Sequence, residues 1–283
     1  MKEEKELIYL YCITKKTPKL KSVDKAVDKL YFIYHCGLYA IVSKVSNSEF
    51  AKENLEKNLN DIDWVKKKAN IHEQVIEGIM KSRCVLPFKF ATLYNSEVSL
   101  KLSIEDHVQA FRESLEVLEG KQEWGVKIYC DIERLKETLI NRDQEILNIN
   151  EEIHNSSSGK GYLLKKKKED LINQLLNKKY NGRAKACFEE LNRHCVESRI
   201  NRLLPREVTE RNEEMILNSA FLIEQDTAID FIAVVDSLKT AYEEEGFLVD
   251  CTGPWPAYNF CQTHLPAGQA GMNADKKKAD KHG

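Results

Sequence analysis

The sequence predicts an α+β protein of two domains, and three observations support this prediction. The chain has 283 residues, more than a single domain usually contains. Its first half carries short apolar runs of strand type, followed by amphipathic helical patterns. Its second half carries strands before and after a long helical region, and then a further helix and strand. We therefore expect an N-terminal α/β sandwich-like domain over residues 1–120 and a C-terminal domain over residues 121–260.

Three strands are expected in the first domain. Leu7 to Thr14 is rich in aliphatic and aromatic residues, and the turn-favouring stretch Lys15 to Pro18 follows it. Leu30 to Cys36 and Leu38 to Val45 have the same character and are separated by Gly37. Because glycine lacks a Cβ atom and permits turn geometry, these two runs predict a hairpin.

Two helices are expected to pack on this sheet. From Asp61 to about Arg83, apolar residues recur at helical spacing, which predicts an amphipathic helix with the Asp61 carboxylate at its N-terminus. Leu102 to Leu118 repeats this periodicity and is followed by Gly120, a residue common after the end of a helix.

The second domain is expected to follow the order β-α-β-β-α-β, which is typical of ferredoxin-like folds. Its first helical region is longer than a crossover requires, and the turn-favouring stretch Asn155 to Gly159 interrupts it. We therefore predict a modified ferredoxin-like domain with an inserted, projecting hairpin of two helices over about residues 131–196. The expected strands are Glu123 to Cys130, Ser198 to Leu204, Met215 to Ile223 and a run after Gly246, and the last helix is Ala228 to Glu245. Residues 261–283 are too poor in apolar side chains to fold alone, so we expect a disordered tail.

Composition and charge exclude several classes of protein. Hydrophobic residues make up 42% and charged residues 31% of the chain, which is typical of proteins that fold in water. The formal net charge of -2 creates no overall field that would attract nucleic acid or anionic lipid. The sequence shows neither a run of about 20 apolar residues nor the apolar segment of a signal peptide. We therefore expect a cytoplasmic protein that binds neither nucleic acid nor membrane.

No motif of the sequence predicts an active site, a metal site or a cofactor. His72-Glu73 begins like the zinc-binding pattern H-E-x-x-H, but Ile76 stands where the second histidine is required. We therefore interpret His72 as a core histidine that is bonded to a polar neighbour. The eight cysteines form no C-x-x-C pair and are interpreted as small buried hydrophobes or idle thiols. An enzyme whose site combines distant residues stays an alternative.

The lysine run Lys165 to Lys168 has two interpretations. It resembles a patch that contacts nucleic acid, but Glu169 and Asp170 follow at once and no interleaved aromatic residues offer a stacking surface. A solvated helix face is the interpretation that we favour.

Four segments of the chain, taken in order, form a recognisable pattern. They are a tryptophan and a His-Glu helix leading into Val85-Leu86-Pro87-Phe88-Lys89-Phe90-Ala91-Thr92, then Glu123-Trp124-Gly125-Val126-Lys127-Ile128-Tyr129, then Gly159-Lys160-Gly161-Tyr162-Leu163-Leu164, and finally Gly253-Pro254-Trp255-Pro256-Ala257-Tyr258-Asn259-Phe260. In this order the four segments resemble the gas vesicle protein F/L (GvpL/GvpF) family. The sequence departs from the family pattern at three positions. The family more often has arginine at the position of Lys89, glycine at the position of Ala91 and a second proline at the position of Ala257.

The resemblance implies a gas vesicle accessory protein that contacts the major shell protein, and other gas vesicle accessory proteins, and needs no cofactor. Our first hypothesis is therefore an assembly role, in which the protein binds the hydrophobic shell protein and supports nucleation or assembly of the gas vesicle. It also implies a place in the gas vesicle, toward its gas-facing surface. A ferredoxin-like ligand-binding or regulatory module is the second hypothesis, because that fold serves many functions. An exposed apolar groove or sheet edge would favour the assembly role, and a closed polar pocket with strongly shifted pKa values would favour an enzyme.

Candidate contacts with the shell protein lie in two of these segments. Exposed aromatic side chains dominate many binding surfaces, so both segments are candidates. The interpretation that we favour is that their aromatic residues pack the two domains together. The candidate residues are Pro87, Phe88, Lys89, Phe90, Pro254, Trp255 and Pro256.

Overall fold

The computed structural model describes residues 6–20 and 30–261. Contacts divide the chain into two compact units. The first runs to Lys121 and includes the chain from Pro256 onward, and the second is Gln122–Trp255. The predicted tail lies outside the described residues, apart from Cys261.

The first unit contains an antiparallel sheet in the order β2-β3-β1-β4, with β5 also paired to β1. The three long strands confirm the predicted ones. The strands are β1 (Glu6–Thr14), β2 (Tyr31–His35), β3 (Leu38–Ser46), β4 (Leu86–Pro87) and β5 (Leu93–Tyr94). The helices of this unit are α1 (Asn47–Phe50), α2 (Lys52–Asn58), α3 (Ile62–Met80) and α4 (Glu97–Leu118).

Strand β1 is the centre of this unit, because every residue from Leu7 to Thr14 is buried. Successive side chains of a strand point to opposite faces, so both faces of β1 are covered. Tyr9 and Tyr11 pack in one cluster with Val75 and Ile76 of α3. Helix α4 also contacts β1, so the two long helices cover the two faces.

The β2–β3 hairpin turns at Cys36 and Gly37, where φ is +49° and +76°. Two positive φ values are what a two-residue type I′ turn requires, so the hairpin predicted at Gly37 is confirmed. The Arg112 guanidinium of α4 donates a hydrogen bond to the Cys36 carbonyl oxygen, over 2.9 Å, and holds the turn.

The predicted helices of this unit are present, with one corrected start. Asp61 is the N-cap of α3, where its carboxylate accepts the backbone N–H groups of Asp63 and Trp64. Helix α4 begins at Glu97, not at Leu102, because the Ser96 side chain closes a capping box ahead of the apolar pattern. The short helices α1 and α2 were not predicted.

The second unit contains a sheet in the order β7-β8-β6-β9. Its strands are β6 (Lys121–Cys130), which begins at the unit boundary, β7 (Glu197–Ile200), β8 (Glu214–Glu224) and β9 (Phe247–Trp255). Its helices are α5 (Ile132–Arg142), α6 (Gln144–His154), α7 (Ser158–Asn192), α8 (Arg206–Thr209) and α9 (Ala228–Glu243). In the core, the ring of Phe221 packs between those of Phe188 and Phe231.

Two predictions for this unit were wrong. The helical region contains three helices instead of two, because Asp143 ends α5 and its carboxylate caps α6. Strand β7 ends at Ile200 instead of Leu204, and the Leu204 N–H bonds to the sulfur of Met215, 3.3 Å away, instead of a backbone carbonyl. The break after His154 is where the sequence predicted it.

The contacts and the predicted domain boundary differ at residues 256–260. The sequence pattern predicts these residues to belong to the second domain, whereas their contacts group them with the first unit. The physical reason is that the Tyr258 side chain bonds to two residues of α3.

No helix among the described residues is both long and apolar enough to cross a membrane.

Gly253 should be the glycine of the second unit that is least tolerant of substitution. Its φ is +142°, and a Cβ atom there would lie 3.0 Å from the Glu123 carbonyl oxygen and 3.0 Å from the Trp124 ring. We expect Gly253→Ala to lower the free energy of unfolding by about 1–3 kcal/mol, measured by urea unfolding. Gly159→Ala is the matched control, because a Cβ there meets no atom within 4 Å and alanine favours a helix. Equal stability of the two variants would contradict this account of Gly253.

Candidate functional site

His72 of α3 is fully buried and is bonded on both sides of its ring. The residue is 1% exposed. Its Nε2 lies 3.0 Å from the Phe88 carbonyl oxygen, and its Nδ1 lies 3.0 Å from the Tyr9 hydroxyl. Because a carbonyl oxygen only accepts, Nε2 carries the proton and Nδ1 accepts from Tyr9. The prediction of a core histidine bonded to a polar neighbour is confirmed.

The same network continues into a backbone turn. The Tyr9 hydroxyl, which donates to His72, accepts the Ala91 N–H over 2.9 Å. Ala91 has φ of +59°, in the left-handed region, and the Thr92 N–H donates to the Lys89 carbonyl oxygen over 3.2 Å. His72 and Tyr9 together thus fix the Phe88–Thr92 turn on the surface of the first unit.

Tyr258 connects the end of the described chain to α3. Its hydroxyl donates to the Glu73 carboxylate over 2.9 Å and lies 3.2 Å from Nε2 of His72. Residues of the first and fourth family-like segments therefore meet in one hydrogen-bond network. The network spans 186 positions of sequence between His72 and Tyr258.

Burial sets the protonation states in this network. It lowers the pKa of His72 to about 4, although the hydrogen bond to Phe88 acts in the opposite direction. Burial raises the pKa of the Tyr9 and Tyr258 hydroxyls and also that of the Glu73 carboxyl. At neutral pH the ring of His72 is therefore uncharged and the two tyrosines keep their protons.

An open cavity of about 350 Å³ lies beside the network. Aromatic rings of β1 and α1 form much of its wall, and a polar edge is formed by the Glu49 carboxylate. Glu49 pairs with Lys68, 2.7 Å away, and accepts the Trp64 indole N–H, also at 2.7 Å. The charged groups at this edge thus already have partners within the first unit. The aromatic lining residues are Tyr9, Tyr11, Phe50, His72 and Phe90.

The first group of candidate contact residues is mostly buried. Pro87 and Phe88 are buried, and the Phe88 ring packs edge to face on Phe111 of α4. Phe90 is half-buried and lines the cavity, and only Lys89 of this group is exposed. The two buried residues therefore stabilise the first unit, and Lys89 is the one side chain of this group that is exposed to solvent.

Two of the three residues in the second group of candidate contacts, Pro254 and Trp255, are exposed at the end of β9. Pro254 is exposed, and Trp255 is 40% exposed. The Trp255 indole N–H donates to the Thr252 hydroxyl over 3.0 Å, which fixes the ring. Pro256 is buried, and it belongs by contacts to the first unit.

Burial keeps two cysteine thiols protonated at neutral pH. Burial raises the pKa of the Cys84 thiol to about 12 and that of Cys187 to about 11, so both stay protonated and unreactive. The described residues contain no group of three or more histidine, cysteine or acidic side chains that could hold a metal ion.

Sequence reasoning missed the partners of His72. Tyr9 lies within a strand pattern that predicts only burial, and Tyr258 lies 185 positions from Glu73. The available signal was that the His-Glu pair and Tyr258 belong to segments of one family resemblance.

Comparisons with known proteins agree on one family. A family model described as gas vesicle synthesis protein GvpL/GvpF matches residues 7–262. Gas vesicle protein L1 of Halobacterium salinarum is 27% identical over 261 residues, which cover 89% of each chain. Gas vesicle protein L of a Streptomyces species is 25% identical over 226 residues, which cover 80% of each chain.

Two crystal structures share the fold. Gas vesicle protein GvpF from Anabaena sp. PCC7120 aligns with a TM-score of 0.66 at 20% identity, over 91% of this chain and 98% of that one. GvpF from Microcystis aeruginosa aligns with a TM-score of 0.60 at 16% identity, over 90% of this chain and 99% of that one.

Proposed function

Because the chain belongs to the gas vesicle synthesis protein GvpL/GvpF family, we propose that it binds the hydrophobic major shell protein and supports nucleation or assembly of the gas vesicle. The family match over residues 7–262 is the observation that carries this proposal. The protein has a gas vesicle-related role, and its partners include other gas vesicle components. We place it in the cytoplasm and, in the vesicle, at the gas-facing surface.

The proposed mechanism follows from the physical chemistry of a shell subunit. A small, apolar subunit that assembles by itself aggregates unless a partner covers its surface or its strand edges. A protein that folds in water and holds aromatic side chains in fixed positions at its surface is suited to such transient contacts. Trp255 and Pro254 offer this chemistry in the second unit, and Lys89 with Phe90 offers it in the first.

The proposal assigns no reaction to the protein. The names of its relatives are those of gas vesicle proteins. His72 is uncharged at neutral pH and buried, and both properties support a structural role for this residue instead of a role as an acid or base.

The proposal includes two domains of different type. Residues 1–120 form the sandwich-like domain, and a modified ferredoxin-like domain begins at residue 121; residues 256–260, predicted to end it, group by their contacts with the first unit. The strand order β7-β8-β6-β9 and the helices α5 to α7 after its first strand support the second assignment.

A solubility assay tests the binding step. Purified major shell protein is diluted from denaturant with or without an equimolar amount of this protein, and the sedimenting fraction is measured. We expect the protein to keep most of the shell protein in solution, and an unrelated protein of equal size to leave it aggregated. The variants Trp255→Ala in the second unit and Lys89→Ala in the first unit locate the contact, because loss of a contact residue should increase the sedimenting fraction of the shell protein. An unchanged sedimenting fraction would refute binding of the shell protein.

A further inference from the structure

The first turns of α7 expose an unusual combination of side chains, here called the α7 surface: Lys160, Tyr162, Leu163, Lys166 and Lys167. Tyr162 is 71% and Leu163 is 66% exposed. All three lysines are exposed, and for Lys166 and Lys167 this agrees with the interpretation of the lysine run as a solvated face. Lys160, Tyr162 and Leu163 belong to the third family-like segment, to which the proposed function assigns no role.

The start of α7 carries a net positive charge. Lys165 and Lys168 add to the three lysines of the surface, and none of the five has an ion pair shorter than 4 Å with a described carboxylate. Glu169 and Asp170 follow the lysines and offset part of their charge. The excess of lysines over carboxylates along residues 158–170 attracts an acidic partner.

A shallow groove continues along the same helix. It has a volume of about 380 Å³ and is lined by Leu163, Lys166, Lys167, Asp170, Leu171 and Gln174 of α7, with Glu145 of α6 on its other side. Positions 163, 166, 167 and 171 lie on one helical face, because the last three follow the first by three, four and eight residues. An apolar side chain between lysines at this spacing is suited to a second helix that lies along the groove.

Gly159 leaves the start of this face open. A Cβ atom at Gly159 would meet nothing within 4 Å, so packing within the chain does not require glycine there. Glycine at a helix surface permits the close approach of another backbone.

We propose that the α7 surface is the docking site for an acidic amphipathic helix of another gas vesicle protein. The inference rests on the proposed function and adds a second partner surface to it. A second copy of this chain does not fit, because two identical lysine clusters repel each other. Two exposed apolar side chains are too few for a helix that inserts into a membrane surface, and the single ring of Tyr162 is too little of a stacking platform for nucleic acid.

Site-specific crosslinking tests the proposal in the full-length protein. A benzophenone amino acid replaces Tyr162 in cells that carry a complete gas vesicle gene cluster, and crosslinked peptides are identified by mass spectrometry. We expect a crosslink to an acidic helical segment of one other gas vesicle protein. The same amino acid at Ile229, which is 80% exposed at the start of α9, is the matched control and should not capture that segment. A crosslink to a second copy, to nucleic acid or to lipid would overturn the proposal, and so would the absence of a crosslink.

Charge reversal separates this proposal from the proposed function. Lys166→Glu with Lys167→Glu should lower the crosslink yield at Tyr162 by at least about tenfold and leave the urea midpoint unchanged. Replacement of acidic residues by lysine in the captured segment should restore the yield. Deletion of the gene is expected to abolish gas vesicles. If the double variant then restores them fully and also keeps the crosslink, only the docking site is refuted. If deletion leaves gas vesicles intact, the proposed function fails instead.

Discussion

His72→Ala is expected to lower the free energy of unfolding of the first unit by about 4 kcal/mol. The substitution removes a fully buried ring and leaves a cavity in the cluster that joins β1 to α3. It also removes the hydrogen-bond partner of the Phe88 carbonyl and the acceptor of the Tyr9 hydroxyl. Unmade hydrogen bonds of buried groups add about 1–3 kcal/mol each, less where water enters the cavity.

Urea unfolding, followed by circular dichroism, measures this loss. His107→Ala is the matched control, because His107 also lies on a helix but is exposed; it bonds to the Ser103 carbonyl of its own helix and stacks on the Phe111 ring. We expect that control to change stability by less than about 1 kcal/mol. A His72 variant as stable as the wild type would show that the network does not hold the Phe88–Thr92 turn.

Acid should destabilise the first unit through His72. The pKa of this ring is about 4 in the folded protein, against an ordinary value of 6.5 in the unfolded chain. Below pH 6.5 the unfolded chain therefore binds a proton that the folded protein does not. Stability is complete above about pH 6.5 and falls as the pH is lowered toward about 4, by about 3 kcal/mol in total.

A comparison of two proteins isolates this effect. The free energy of unfolding is measured from about pH 7.5 to about pH 4 for the wild type and for His72→Gln, which cannot titrate. The raised pKa of Glu73 has the opposite effect on stability, because Glu73 is protonated at a higher pH in the folded protein than in the unfolded chain. This effect is present in both proteins and therefore cancels from their difference. The difference between the two curves should shrink by about 3 kcal/mol as the pH falls. Parallel curves would contradict the low pKa of His72.

Local patterns predicted most of the elements but not all of their ends. Apolar periodicity found the β2–β3 hairpin, α3 and α9, since each is set by its own burial pattern. The break at Asp143 was missed because a single capping residue inside a polar stretch gives a weak signal. The early end of β7 was missed because the sequence from Ser198 to Leu204 keeps a strand pattern beyond the last backbone pair at Ile200.

The candidate site was predictable only in part. The pattern placed His72 on the buried face of α3, but no spacing rule connects it to Tyr258 at a distance of 186 positions. Ala91 gives a further example, because its φ of +59° is one that glycine adopts more readily, and nothing in the local sequence pattern predicts it. Long-range contacts of this type need the folded chain, since the sequence states only that each residue is aromatic or small.

The central claim is a role in gas vesicle assembly, and light scattering that is lost under pressure tests it most directly. Cells with a complete gas vesicle gene cluster are compared with cells that lack this gene and with cells in which the gene is restored. The signal is specific, because only gas-filled vesicles lose scattering when pressure collapses them. We expect deletion to abolish the pressure-sensitive signal and restoration to recover it, whereas an unchanged signal after deletion would contradict the claim.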